Sequence, residues 1–290
     1  MSQSPTQAAG SDAAGGLAFV LLWSTGYIAA AYALHGSGPY TLAALRFIGS
    51  AAIIGLWLLL RPAPAVPARA LTHAAIGGVM LQAGFFGFIY AALRAGVAPA
   101  VAGLITGLMP LTTAVGAALL LGEKLQRRAV LGLLLGLAGV LLVVAPELHG
   151  GGTRLAYAAA VAALLSLSLG TLYQKRHASE LDPRLALLVQ LGASALVLLP
   201  LAWGLEGLRL HPSLASLGGL AWAIVVNSCC GLLLYLWLLS RGAAARTASL
   251  FYLVPPVTAL LAALTLGAQF TLADALGFAL AAFGVWLGQR

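Results

Sequence analysis

One apolar stretch carries Gln82, Phe86 and Tyr90, and a second carries Asn227, Gly231 and Tyr235 at the same spacing. A helix brings positions i, i+4 and i+8 onto one face, so an amide and a phenol line up along each stripe. The chemistry on offer is recognition: uncharged donors and acceptors beside ring faces, which suit a small, neutral or zwitterionic, partly apolar solute. An amide facing lipid is costly, so both stripes should look inward. There they either line a pathway or bond a neighbouring helix. Neither stretch holds a carboxylate cluster for a metal or a nucleophile with a base, the minimum for an intramembrane transferase. Adjacent Cys229 and Cys230 make neither a disulfide nor a metal site. The sequence therefore predicts no enzyme, no cofactor and no metal.

Other side chains extend the set. Trp23 and Tyr27 share a face, and Trp23 lies about 10 Å inside its span at 1.5 Å per residue, as interface anchor or cavity wall. Ser168 and Thr171 either line the cavity or bond back to their own helix carbonyls. Tyr252, near Ser249, is a further pathway candidate that competes with a packing role. Pro110 and the pair Pro255–Pro256 interrupt two apolar stretches at related positions, and a proline that frees a carbonyl permits a hinge or a static kink. Arg46 lies within a span near its outer end, where snorkelling outward relieves its cost, so it reads as a structural charge. Glu123, four residues before Arg127, reads as the structural charge of a capped turn.

These residues sit in a chain that cannot cover a water-facing globule. Of 290 residues, 61% are hydrophobic and 8% charged, with a mean hydropathy of +1.00, against roughly 25% charged in soluble domains. Apolar runs of about 20 residues fall at 16–34, 40–60, 72–93, 98–121, 128–146, 154–174, 185–204, 216–239, 246–266 and 272–289. The fold class is all-α, polytopic, with ten transmembrane helices. Residues 1–15 lack Lys and Arg and read as a disordered cytoplasmic tail. The formal charge of +8 is not gathered on a basic face, which excludes nucleic acid; the bases lie in short loops. Placed on alternate sides, 11 fall on the side of the termini and 3 opposite (Arg94, Arg154, Arg209). Cytoplasmic loops hold the excess, so both termini are expected in the cytoplasm.

A shift of 145 residues superimposes Gln82 on Asn227, Tyr90 on Tyr235, Pro110 on Pro255, and Gly122, Gly132 and Gly139 on Gly267, Gly277 and Gly284. The halves are 16–146 and 147–290. Each holds five helices, an odd number, so the second copy enters the membrane inverted, and such repeats place substrate between the halves near the midplane.

At Trp23-Ser24-Thr25-Gly26, Leu45-Arg46-Phe47, Pro110 and Gly122-Glu123-Lys124, with the glycine-spaced helix after them, the chain resembles the EamA-type drug/metabolite transporters. Within that family it is most similar to bacterial aromatic amino-acid exporters of the YddG type. The resemblance implies an inner-membrane exporter of neutral or aromatic amino acids working by alternating access; a multidrug or other metabolite exporter, proton-coupled or not, is the alternative. It also implies that the helix carrying Arg46 supports the pathway. The second repeat departs from the family pattern, with Ala268 and Gln269 where the first has Glu123.

All seven acidic residues and all five histidines fall outside the spans or at their ends. Proton-driven pumps usually hold such a group within the membrane, and there is no phosphate loop, so a facilitator or exchanger is expected. Charged rings or carbonyl filters of the channel type are not visible either. The partners are a small-molecule substrate and the lipid bilayer, with the oligomeric state left open.

Overall fold

The computed structural model describes residues 5–124, 126–147, 153–177, 181–231, 234, 253–269 and 271–288. Ten helical rods appear among them. They are α1 (Pro5–Leu34), α2 (Pro39–Leu60), α3 (Ala68–Arg94), α4 (Pro99–Leu121) and α5 (Arg127–Glu147) in the first half. The second half contributes α6 (Arg154–Arg176), α7 (Pro183–Glu206), α8 (Leu214–Cys230), α9 (Val254–Leu266) and α10 (Leu272–Gly288). The rods α1 to α7 each contain a stretch of 19 to 27 residues long and apolar enough to cross a membrane, and α8 to α10 are shorter apolar helices. Leu59 and Leu119, each 80% exposed, and Leu264 at 74% mark an outer surface made for lipid.

The first helix begins at Pro5, so residues 5–15, expected from sequence to belong to a disordered tail, continue α1, and residues 1–4 lie outside the described residues. Six of residues 5–15 are Gln, Ala or Asp. The alanines are the strongest helix formers, and proline is tolerated in the first turn, where its missing N–H has no partner to lose. Pro39, Pro99 and Pro183 open α2, α4 and α7 in the same way. Gly122 and Gly267, at φ +68° and +66°, end α4 and α9 in the left-handed region, where glycine carries no steric penalty.

Two pairs of counterpart helices, α2 with α7 and α5 with α10, pack against each other and run antiparallel. At one end of the α2–α7 pair, the Glu206 carboxylate accepts from the backbone N–H groups of Tyr40 (2.9 Å) and Thr41 (2.7 Å) and from the Thr41 hydroxyl (2.6 Å). It thereby satisfies donors that the α2 N-terminus leaves open and opposes the positive end of the helix dipole. At the other end, Arg184 of α7 donates to the Arg61 carbonyl just past α2 (3.1 Å) and lies over the Trp57 ring. Asp182 orients that guanidinium, and the hydrogen bonds it accepts from the Arg184 side chain, with the charge they carry, hold its carboxyl below the usual range.

The α5–α10 pair meets backbone to backbone. A Cβ on Gly139 would lie 2.5 Å from the Gly277 carbonyl oxygen, and one on Gly284 would lie 2.5 Å from that of Gly132. A shift of 145 maps Gly132 onto Gly277 and Gly139 onto Gly284, so the two contacts exchange. Other pairings obey the same exchange: α1 with α8 as α6 with α3, α1 with α9 as α6 with α4, and α3 with α7 as α8 with α2. This is an inverted repeat with a pseudo-two-fold axis in the membrane plane.

Gly139→Leu should separate α5 from α10 and sharply reduce the yield of monodisperse protein in detergent. Gly192→Leu, whose Cβ has nothing within 4 Å, should be tolerated. Glu206→Ala should lower the Tm in detergent by removing a charged acceptor worth about 1–3 kcal/mol.

Candidate functional site

Two interruptions in the helices shape the centre. In α3 the segment Val79–Gly84 winds as a π-turn, and in α8 the segment Ala223–Cys230 does the same. The two lie at positions equivalent under the 145-residue shift. Such turns close hydrogen bonds from i to i+5 and occur often at functional sites. In the first repeat, α4 breaks at Gly107–Leu108, so that Pro110 becomes the second residue of a fresh helical segment, Met109–Leu121. In the second repeat, Pro255 is the second residue of Val254–Leu266, with Pro256 following. Both prolines therefore occupy first-turn positions where no backbone bond is lost. The break in α4 faces the start of α9, where a Cβ on Gly107 would touch the Pro255 ring at 3.0 Å.

Beside these interruptions, α1, α2, α3 and α8 enclose a cavity of about 30 Å³. Its walls include Trp23, Gly26 and Tyr27 of α1, Arg46 of α2, Phe85, Phe86 and Tyr90 of α3, and Asn227 of α8. Polar groups converge here inside an aromatic frame. The Arg46 guanidinium is buried, donates from Nη1 to the Tyr90 hydroxyl (2.5 Å) and from Nε to Ser228 Oγ (2.9 Å), and lies 4.0 Å above the Phe86 ring centroid. This is a cation–π contact reinforced by desolvation. The Tyr27 hydroxyl meets Thr106 Oγ1 at 2.6 Å. Since the Thr106 hydroxyl donates its single proton to the Ala102 carbonyl (2.8 Å), Tyr27 is the donor. Asn227 Nδ2 donates to the Leu22 carbonyl, while Asn227 Oδ1 is sealed from solvent and has no partner among the described residues.

A larger groove of about 390 Å³ lies between α1, α8 and α9, lined by Thr25, Tyr32, Gly218, Trp222, Leu261 and Thr265 among others. Despite its size it is the weaker candidate. It is open and mostly apolar, and Leu214 on its rim is 93% exposed, as suits a lipid-facing surface. Trp222 Nε1 donates to Thr25 Oγ1 at 3.0 Å, and Asn227 Nδ2 approaches the same oxygen at 3.4 Å. This hydrogen-bonded trio forms part of the wall between groove and cavity.

The residues singled out from sequence are placed as follows. Trp23, Tyr27, Phe86, Tyr90 and Asn227 meet at the cavity. Gln82 is half-buried and does not line it, because the π-turn shifts the register of positions before Phe85 relative to those after it. The same shift brings Phe85 into the wall, where α-helical spacing did not predict it. Ser168 joins α6 to α4 through Thr112 Oγ1 at 2.6 Å, and Thr171 bonds back to the Leu167 carbonyl at 2.8 Å. Neither lines the cavity. Tyr235, Tyr252 and Ser249 lie outside the described residues.

Two charges differ from expectation. Arg46 does not snorkel outward; it turns inward, because Tyr90, Ser228 and the Phe86 face offer it partners that lipid cannot. Glu123 pairs with Lys175 of α6 at 2.6 Å instead of with Arg127. The chain leaves α4 at left-handed Gly122, so Glu123 precedes α5 and the i, i+4 geometry within one helix does not arise.

A family model for the EamA-like transporter family matches residues 13–145 and again 154–288. The chain is 28% identical over 282 residues, 93% of its length and 92% of the other's, to a probable amino-acid metabolite efflux pump of Salmonella typhimurium. It is 34% identical over 147 residues, 47% of each chain, to the aromatic amino acid exporter YddG of Ancylobacter novellus. A solved crystal structure superimposes over 96% of each chain with a TM-score of 0.65 at 25% identity. With a ten-helix fold and a family match over both halves, the chain belongs to the EamA-like transporter family and is a membrane transporter, not an enzyme.

Proposed function

We propose that this transporter exports neutral and aromatic amino acids, or closely related small metabolites, across the bacterial inner membrane, with both termini in the cytoplasm. The observation that carries this reading is the cavity where α1, α2 and α3 of one repeat meet α8 of the other. It joins aromatic rings to a guanidinium and the side-chain amide of Asn227, groups suited to a solute with both apolar and zwitterionic parts. At about 30 Å³ it has room for a water molecule but not an amino acid, so a solute of that size enters only when the walls part. Alternating access supplies that motion, with the first turns that hold Pro110, Pro255 and Pro256 as its hinges. The relatives whose names mention amino-acid efflux support the same substrate class.

The carrier works as a facilitator or exchanger. Four carboxylates whose side-chain contacts are described, Glu123, Asp182, Glu206 and Asp274, sit at helix ends or in connections, each engaged with a partner. None of them faces the cavity as a proton site would.

Uptake of radiolabelled phenylalanine or leucine into proteoliposomes should saturate with concentration and persist when the proton gradient is collapsed. Loss of uptake on collapse would show proton coupling instead. Replacing Pro110, Pro255 and Pro256 together by alanine should slow transport several-fold while leaving equilibrium binding within about twofold. An unchanged transport rate would remove the hinge assignment.

A further inference from the structure

Arg46 is a buried cation with no anion beside it among the described side chains. It is 5% exposed within a membrane domain, and the four carboxylates whose side-chain contacts are described are occupied elsewhere. Glu123 bonds Lys175, Asp182 bonds Arg184, Glu206 bonds the start of α2, and Asp274 bonds Thr271. Leaving such a charge uncompensated in a low-dielectric interior is expensive. Two hydroxyls and one ring face reduce that expense without neutralising the charge.

The donor inventory shows what remains available. A guanidinium has five N–H donors in a planar fork. Nε is directed to Ser228 and one Nη1 hydrogen to Tyr90. Three donors are left without a partner among the described residues, including both on Nη2, and Arg46 lines the cavity. A carboxylate fits such a fork through two parallel hydrogen bonds. Asn227 lines the same cavity, and its Oδ1, sealed in this structure, has no partner among the described residues, so it is an acceptor that an ammonium group can complement when the walls part.

The repeat argues that this charge is not a requirement of the fold. The 145-residue shift carries Arg46 onto Leu191, which is 1% exposed, and Phe86 onto Gly231. The second repeat builds the same packed α7 with an apolar side chain at the equivalent place. Packing of this helix therefore does not demand a guanidinium.

We propose that Arg46 receives the carboxylate of the carried solute, with Asn227 Oδ1 accepting from its amino group. The substrate class is thereby narrowed to free carboxylic acids bearing an apolar or aromatic body. This rests on the cavity being the substrate site of the transporter. Ser228 and Tyr90 act as positioning residues that hold the guanidinium with its open edge toward the cavity. Amides, esters and decarboxylated amines of the same body lack the anion and bind weakly.

The test uses two matched pairs of ligands on the purified full-length protein: L-phenylalanine with L-phenylalaninamide, and phenylacetate with phenylacetamide. Equilibrium binding is measured to wild type, Arg46→Gln and Arg46→Lys. The wild type should prefer each acid it binds over its amide by roughly 10- to 100-fold, the range for a charged hydrogen-bonded contact. Arg46→Gln should erase that preference while leaving the weak amide binding in place. Arg46→Lys keeps the charge but loses the planar fork and should retain a reduced preference, and it serves if the glutamine variant fails to fold. Equal losses for acid and amide would mean that Arg46 only supports the structure. A preference that survives in the glutamine variant, or is absent from wild type, would overturn the proposal. Selective binding of phenylacetate without phenylalanine would keep the carboxylate anchor and remove the amino-acid reading. Binding of neither acid would remove the anchor.

Discussion

Lipid supplies no hydrophobic force to press one apolar helix against another, so this protein depends on how closely its counterpart helices approach. Between α5 and α10 the approach is limited by backbone atoms alone. The space for a Cβ on Gly139 is taken by the Gly277 carbonyl, and the space on Gly284 by that of Gly132. Between α2 and α7 the seam is closed at its two ends by charge, with Glu206 on the open N–H groups of α2 and Arg184 on a carbonyl at its far end. Both seams join a helix to its own inverted copy. The two-fold relation between the halves is therefore held by direct contact of equivalent parts, and the remaining pairings follow from it.

That framework leaves the centre free to depart from regular helix. Each repeat has a π-turn in its third helix and begins a helical segment in its fourth one residue before a proline. In hydrocarbon, irregular backbone survives only where protein or a cavity covers it, and each π-turn carries buried residues, Ala83 in α3 and Ala223, Ser228 and Cys229 in α8. The cavity is walled by two continuous helices, α1 and α2, and by the two that carry π-turns, α3 and α8. This is the distribution an alternating-access carrier needs, since rigid pairs can rock around a site that is itself deformable.

The chemistry, unlike the frame, is not two-fold. Trp23, Tyr27, Arg46 and Phe86 correspond to Ser168, Leu172, Leu191 and Gly231 in the other half. One repeat thus supplies the rings and the charge, while the other supplies Asn227 and Ser228. Duplication explains why the two halves can exchange conformations, and divergence explains why there is one polar cavity among the described residues and not a mirrored pair. The groove between α1, α8 and α9 has no comparable polar lining, and the Trp222–Thr25–Asn227 contacts separate it from the cavity.

The sequence by itself determined the number of spans, the membrane class, the odd-numbered repeat and its inversion. Each of these depends on composition and period, which are properties of a chain before it folds. The repeat-related glycines and prolines were legible for the same reason, and Trp23, Tyr27, Phe86, Tyr90 and Asn227 were legible as scarce polar or aromatic groups in apolar runs. The tertiary structure decided the rest. A π-turn has no signature in residue type, so only the coordinates could move Gln82 out of the wall and Phe85 into it. The partner of Glu123 comes from a helix more than fifty residues away, beyond any local spacing rule. The direction of Arg46 was equally out of reach. A buried guanidinium goes where its hydrogen-bond partners are, and Tyr90 and Ser228 reach it from 44 and 182 residues away, brought to one place only by folding.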